Sequence, residues 1–506
     1  MSDIYAHAGN KDEVIMQSRI FEITGVLSRH HSIIIDTDGL WTRFHCDDAA
    51  QNAGLHVIHI KDEMYLRFQY ENALVANETN AIVFVINAPS IYIPLDIARD
   101  YSVQNLTYHT VFPMLSAEAL RTIPGIDFNW LVACLDKLPF GSFDMQQTIA
   151  WCRNGMYQSN ICSDYATALL EQARVLAENA SDHRDWGVIA KYYGKAAMVQ
   201  HAGAHLPNWD KARADIERFF AKWVEQKYNL LSGSIDRKRP VLLSKVADFI
   251  RRASEKIALI VMDGMSFENF YTIQGKMVES NIAFNVEASF SFFPTVTCVA
   301  RQSIFSGQLP SEHTKPFSLE NEEKQWRAFW QNAGMREQEV YFSKGIPDGI
   351  PSEAKAVGIV INIVDDLMHS ELQGFKGIQQ GLCEWTNSGQ LAQMLKTLMS
   401  DGYDVFMTSD HGNTSAIAEG RFTKPGVLAE PASRRAIIYN ASFDARELEK
   451  FSVMRYSGTY LPNGYTAYLF DADSCYGDTG KEYITHGGMT LEEAVVPFVR
   501  VGAYNG

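Results

Sequence analysis

The chain has 506 residues, of which 46% are hydrophobic and 21% charged, and its net charge is -15 at neutral pH. This length predicts two to four domains, and this composition is that of a globular protein with a large core. The negative charge argues against broad binding to a nucleic-acid backbone.

Two further features concern the location of the protein. No run approaches the roughly 20 apolar residues of a membrane helix, and the polar first residues lack the apolar stretch of a secretory signal. The seven cysteines are scattered, odd in number and form no C-x-x-C pair. They predict reduced thiols in a cytoplasmic protein without membrane attachment.

The first 105 residues predict a small Rossmann-like α/β domain. Apolar runs at 32–36, 56–60 and 81–87 predict strands, with helix-compatible segments between them, and therefore a parallel sheet. Asp36 and Asp38 form a D-x-D-G run after the first strand, which allows a haloacid-dehalogenase-like phosphatase. The later lysine and acidic pair of such an enzyme are not found convincingly before residue 105, so a structural turn is favoured.

Residues 106–240 predict a second, helical domain. Apolar residues recur there at i, i+3 and i+4 over about five segments. The stretch 230–244 has the Gly, Ser, Pro and charged residues of a domain boundary. From 241 to 506 the pattern alternates strand and helix again, which predicts a third domain with a sheet between helices.

Three apolar runs in this third domain end in aspartate. They are IALIVMD, IVINIVD and DVFMTSD, and they end at Asp263, Asp365 and Asp410. Short runs rich in Ile and Val are typical of strands buried on both faces. Ligands of such sheets gather beyond the carboxyl ends of the strands. Taken alone, Asp263 would be explained better by a simple turn, and Asp365 equally well by a helix N-terminus.

Histidines accompany these aspartates and could complete a metal site. If a helix begins near Asp365, then His369 lies on the same face, one turn later. His411 follows Asp410 directly, and Gly412 permits the turn that would bring both side chains to one ion. His486 precedes two glycines; alone it would more often be structural than a metal ligand.

Between the first two runs, the segment FFPTVTCVAR offers two hydroxyl nucleophiles, Thr295 and Thr297. If Thr297 begins a helix, its hydroxyl faces an anion bound at the helix N-terminus. Metal coordination would lower its pKa and fix its direction. Arg301, one turn further on, could hold a phosphate oxygen. Capping or turn chemistry would explain both threonines if the aspartates and histidines were not present.

Five segments together resemble the PglZ-type domain of the alkaline phosphatase superfamily. They are VMDGMS, FPTVTCVARQSIFSGQLPSEH, VDDLMH, TSDHG and THGGMTLEEAVVPFV, and they cover about half of the chain. The resemblance implies an alkaline-phosphatase-like fold with two divalent cations, zinc or manganese. It implies one ligand set of Asp263, Thr297, Asp410 and His411, and another of Asp365, His369 and His486, with Asp366 as the alternative to Asp365.

The resemblance also implies a mechanism and a setting. Thr297 is the implied nucleophile because relatives place it at the second Thr of a P-T-x-T run, and a phospho-enzyme is the implied intermediate. Because no second cation beside Arg301 is apparent, we expect a phosphodiester, such as a cyclic or linear oligonucleotide, as substrate. A phosphomonoester is the alternative. The layout is similar to PorX-type regulators, and PglZ relatives imply phage defence with protein partners.

Two matters stay open at this point. A metal-stabilised scaffold that binds partner proteins in a defence complex is the alternative to an enzyme. The oligomeric state, including a homodimer, is not indicated by any pattern in the sequence.

Overall fold

The computed structural model of the chain describes residues 14–503, apart from 29, 77–79, 124, 278–279, 281, 371–372, 423–432, 441–444, 457 and 462–463. Contacts divide the chain into two compact units, residues 1–165 and 166–505. The predicted boundaries at 105 and 240 do not coincide with this division, and the three-domain arrangement stays a prediction. Within the described residues, no helix combines the length and apolarity needed to cross a bilayer.

The first unit contains a parallel sheet of four strands in the order β2-β3-β1-β4. Its strands are β1 (Ser32–Asp36), β2 (His56–Ile60), β3 (Ile82–Ile86) and β4 (Ser102–Leu106). Its helices are α1 (Val14–Thr24), α2 (Leu40–Arg43), α3 (Cys46–Asn52), α4 (Glu63–Ala76), α5 (Leu95–Asp100), α6 (Tyr108–Val111), α7 (Ala117–Thr122), α8 (Phe128–Ala133) and α9 (Met145–Arg153). The parallel α/β sheet predicted for this part of the chain is confirmed.

Asp36 at the end of β1 has a structural role. Its two carboxylate oxygens accept the backbone N–H groups of Leu40 and Trp41, each at 2.8 Å, and the side chain is fully buried. Asp38 is paired with Arg121. Both carboxylates of the D-x-D-G run therefore hold local structure, as the turn interpretation expects, and the haloacid-dehalogenase alternative gains no support.

Helix α10 (Ser159–Asn179) contains the division between the units, and the second unit continues from it. Its helices are α11 (His183–His201), α12 (Trp209–Lys227), α13 (Val246–Arg251), α14 (Phe267–Met277), α15 (Thr297–Ser306), α16 (Glu322–Asn332), α17 (Ile363–Ser370), α18 (Phe375–Asn387), α19 (Gln390–Ser400) and α20 (Leu491–Ala494). The helix-rich stretch predicted before residue 240 is thus present.

The central sheet of the second unit has six strands in the order β6-β16-β9-β5-β8-β7. They are β5 (Ile257–Met262), β6 (Ile282–Phe290), β7 (Val340–Lys344), β8 (Ala356–Ile361), β9 (Asp404–Thr408) and, after α20, β16 (Val495–Ala503). The strands β7, β8, β5 and β9 run parallel, and β16 is antiparallel to both of its neighbours. Every residue of β5 and β8 is buried, as strands covered on both faces require.

Two small sheets complete this unit, in the orders β14-β10-β15 and β11-β13-β12. Their strands are β10 (Thr414–Gly420), β11 (Ala436–Asn440), β12 (Val453–Tyr456), β13 (Tyr465–Phe470), β14 (Ser474–Tyr476) and β15 (Glu482–Thr485). Strand β10 begins four residues after Asp410, and β15 ends directly before His486. These sheets therefore position the segments on which two predicted ligands lie.

Candidate metal centre

Two strand ends and a helix N-terminus bring the first ligand set together. Asp263 follows β5, Asp410 lies two residues after β9, and Thr297 is the first residue of α15. Asp263 is followed by Gly264, whose φ of 74° lies in the left-handed region that favours glycine. The prediction that Thr297 begins a helix is confirmed.

Four side-chain atoms of this set point toward one another. The hydroxyl of Thr297 lies 3.0 Å from His411 Nε2 and 3.5 Å from Asp263 Oδ1. His411 Nε2 lies 3.8 Å from Asp263 Oδ1 and 4.0 Å from Asp410 Oδ2. One ligand atom each from Asp263, Asp410 and His411 lies within 4.8 Å of the others. This spacing is suited to ligands of a single cation.

The protonation of His411 leaves one ring nitrogen available to a metal. Its Nδ1 lies 2.9 Å from the carbonyl oxygen of Gly412 and donates to it, so Nε2 carries the lone pair. Burial and the neighbouring His486 lower the pKa of His411 to about 3, so the ring is neutral near pH 7. Gly412 must lack a side chain because an added Cβ would lie 1.9 Å from the carbonyl oxygen of Glu492.

Asp410 supplies the clearest sign that a cation belongs here. Its Oδ1 accepts the backbone N–H groups of Gly264 and His411, whereas its buried Oδ2 accepts no hydrogen bond from any described residue. Burial and the nearby Asp263 raise the pKa of Asp410 well above its ordinary value. A divalent cation fits this set because it would satisfy Oδ2 and compensate the paired carboxylates.

Arg301 lies behind this set and is committed to carboxylates. Its Nη1 donates to Asp263 Oδ2 at 2.8 Å, and its Nε donates to Glu322 Oε1 at 2.5 Å. Burial opposes its charge, but the neighbouring carboxylates outweigh burial and raise its pKa. Glu322, which sequence reasoning did not identify, is itself buried and 3.2 Å from Lys344. The structure thus places Arg301 as a partner of the ligands, and its role toward phosphate stays a prediction.

The second ligand set is divided between a helix and a loop. Strand β8 ends at Ile361, so Asp365 lies in the first turn of α17 and not at a strand end as the apolar run suggested. The expectation that a helix brings Asp365 and His369 onto one face agrees with the structure, because His369 Nε2 lies 3.2 Å from Asp365 Oδ1. The neighbouring Asp365 carboxylate raises the pKa of His369.

His486, predicted for the second set, lies against the first set. Its ring stacks on that of His411, with centroids 3.9 Å apart and planes inclined by 10°. Its Nδ1 donates to the carbonyl oxygen of Thr295 at 2.9 Å, and its buried Nε2 has no hydrogen-bond partner among the described residues. His486 therefore also presents a bare Nε2 beside the first set, as a ligand of a second cation would.

The hydroxyl of Thr295 is committed elsewhere. It donates to the carbonyl oxygen of Gly488 and accepts the N–H of Gly487. The structure thus separates the two threonines of the P-T-x-T run, with Thr297 facing the ligands and Thr295 facing the loop after His486.

Residues 241–501 match the family described as the BREX system PglZ alkaline phosphatase-like domain. The chain belongs to the PglZ family. All predicted ligands lie within the matched residues, so the PglZ domain contains the whole candidate centre. The alkaline-phosphatase-like fold predicted for this part of the chain is confirmed, and it supports a phosphoesterase activity.

Solved structures of two enzymes are also similar to this chain. Phosphonoacetate hydrolase from Sinorhizobium meliloti 1021, in complex with phosphonoformate, has 13% identity and a TM-score of 0.35, and the match covers 49% of this chain and 90% of that one. Murine ectonucleotide pyrophosphatase/phosphodiesterase 5 has 13% identity and a TM-score of 0.35, with coverage of 48% and 87%. No curated protein shows significant sequence similarity to the chain.

Proposed function

We propose that this protein is a two-metal phosphodiesterase whose nucleophile is Thr297. The observation that carries the proposal is the convergence of the Thr297 hydroxyl with Asp263 Oδ1 and with His411 Nε2. Asp263, Thr297, Asp410 and His411 would hold one cation, and Asp365, His369 and His486 the other. Such cations, zinc or manganese, lower the pKa of a bound hydroxyl and neutralise charge on a phosphoryl group.

The protein's own residues would act as follows. Thr297 Oγ1 forms a bond to phosphorus as the bond from phosphorus to the leaving oxygen breaks, and the departing alcohol takes up a proton. Water then attacks the phosphorus, the bond from phosphorus to Thr297 Oγ1 breaks, Oγ1 regains a proton from that water, and the product is released as a phosphomonoester. Helix α15 begins at Thr297, and the partial positive charge of the helix N-terminus favours a negatively charged phosphoryl group at that position.

The surroundings of Arg301 support a diester as substrate. A phosphomonoester dianion usually needs an additional cation that is not already paired. The guanidinium of Arg301 is bound to Asp263 and Glu322. A diester carries one negative charge fewer and is therefore the better match. Cyclic or linear oligonucleotides are the diesters we propose, with phage defence as the setting because the family description names the BREX system.

The test compares Thr297→Ala with wild type on bis-p-nitrophenyl phosphate and p-nitrophenyl phosphate. We expect the substitution to lower kcat by about 1000-fold or more, as loss of a nucleophile does in other hydrolases. Asp263, Asp410 and His411 should keep the first cation bound, so metal content and thermal unfolding should stay largely intact. Thr386→Val is a matched control because it removes a buried hydroxyl that donates to the Leu382 carbonyl in α18.

Chelation gives an independent test of metal dependence. EDTA should abolish turnover, and added zinc or manganese should restore it. Activity that survives complete metal removal would contradict the mechanism. A wild-type protein that hydrolyses no phosphoester yet retains a protein partner would favour the scaffold alternative.

A further inference from the structure

The loop after His486 is fixed to Thr295 by three hydrogen bonds. The Thr295 hydroxyl donates to Gly488 O at 2.8 Å and accepts from Gly487 N at 3.1 Å, and its carbonyl oxygen accepts from His486 Nδ1 at 2.9 Å. Thr295 is completely buried. One residue therefore determines both the path of the loop and the tautomer of the histidine.

The two glycines make this approach possible. Gly487 has a φ of 113°, and an added Cβ would lie 2.3 Å from Ser433 Oγ. At Gly488 an added Cβ would lie 2.6 Å from Arg435 Nη2. Larger residues would force the loop away from Thr295, so the glycines and the threonine act together.

A buried ion pair holds the other side of the same loop. Glu493 Oε1 accepts from Gly488 N at 2.8 Å and from Arg435 Nε at 3.1 Å, and its Oε2 accepts the N–H and hydroxyl of Thr490. Both Arg435 and Glu493 are fully buried. Glu493 bonds to Gly488 N on one side of the loop and Thr295 bonds to Gly488 O on the other, so Gly488 is fixed between these two side chains.

We propose that Thr295 is a positioning residue that presents His486 Nε2 to the second cation. The proposal rests on the two-metal function above. Thr295 fixes Nδ1 as the protonated nitrogen, so the lone pair of Nε2 is directed into the centre beside His411. Hydrogen bonds of this kind behind a ligating histidine commonly change metal affinity by about 10–100-fold.

The experiment is a calorimetric titration of the metal-stripped protein with zinc, comparing wild type, Thr295→Val, Thr295→Ser and Thr386→Val. We expect wild type to bind two ions in separable steps. Thr295→Val should weaken only the second step, by about 10–100-fold. Thr295→Ser, which retains the hydroxyl, and Thr386→Val, which removes a buried hydroxyl elsewhere, should bind as wild type does.

Each other result has a definite meaning. Two ions bound by Thr295→Val with wild-type affinity, or equal weakening of both steps, would overturn the positioning role and leave the two-metal function standing. Failure of wild type to bind a second ion would overturn both proposals.

A second measurement determines the tautomer of His486 in the wild-type protein itself. Nitrogen-15 NMR of the histidine side chains in the metal-stripped wild type should show His486 protonated at Nδ1, with His486→Ala giving the assignment. Protonation at Nε2 would overturn the proposal.

Discussion

The two candidate ligand sets differ in how firmly the protein holds them. Asp263, Asp410 and His411 are all buried, and each lies at the end of a central strand or in the segment directly after it. In the second set only His486 is buried. The side chains of Asp365 and His369 are 21% and 41% exposed and lie on the eight-residue helix α17.

This difference predicts an order of metal binding. The first set is already arranged, so an ion gains its ligands without ordering further side chains. The second set must fix two partly exposed side chains on α17 against the rigid His486. We therefore expect the first ion to bind tightly and the second to bind more weakly and exchange faster.

The largest expected effect comes from damage to the first set. Asp410→Asn keeps the size of the side chain but removes the charge that the unsatisfied Oδ2 would give to a cation. Metal analysis should show one ion instead of two. Hydrolysis of a diester should fall by more than about 100-fold, because loss of only a hydrogen-bond partner behind a metal ligand already lowers activity by about 10–100-fold. A variant that retains both ions would show that the first set is not a metal site.

Damage to α17 should have a smaller and reversible effect. His369→Ala removes one partly exposed ligand and leaves His486 and the first set in place. We expect the second ion to bind about 10–100-fold more weakly, and excess metal to restore activity. If excess metal restores activity to Asp410→Asn equally well, the proposed difference between the sets is wrong.

Substitution of Glu322 tests the support behind the first set. Glu322→Gln weakens the buried partner of Arg301 and with it the orientation of Asp263, so activity should fall by about 10-fold. Lys344→Met removes the other partner of the same carboxylate, but Lys344 is 61% exposed and an exposed pair contributes little. A larger effect from Lys344→Met than from Glu322→Gln would contradict this ranking.

Sequence patterns predicted the ligand-bearing strand ends better than the contacts around them. Runs of buried residues located Asp263 and Asp410 because parallel strands end at one edge of a sheet. The run before Asp365 extended past the true strand end at Ile361, since Ile363 and Val364 are as apolar as strand residues although they begin α17. The i, i+4 spacing nevertheless predicted the contact with His369.

The partners of these ligands could not be predicted in the same way. Glu322 meets Arg301 from 21 residues away, and Thr295 meets His486 from 191 residues away. No local periodicity encodes such a contact, because it depends on how the strands and loops pack in three dimensions. The sequence identified Thr295 only as an alternative nucleophile. Its hydrogen bonds in the structure show instead that it contacts the loop after His486.

The smallest effect concerns the stability of the rigid half of the second set. Glu217 of α12 accepts the N–H of Leu491, five residues after His486, with both carboxylate oxygens at 3.1 Å. Burial raises the pKa of Glu217 from its ordinary 4.5 to about 8. As the pH rises, the unfolded chain loses this proton first, so the contribution of neutral Glu217 to stability is complete below pH 4.5 and is lost by about pH 8.

Replacement of Glu217 by glutamine should remove this pH dependence. We expect Glu217→Gln to raise the unfolding midpoint at pH 8 by about 2 °C relative to wild type and to leave it nearly unchanged at acid pH, measured by calorimetry on the metal-stripped protein. Glu225→Gln, on the exposed face of the same helix, is the control and should change neither value. Equal shifts for both variants would show that surface charge, and not the buried carboxyl that anchors Leu491, sets the pH dependence.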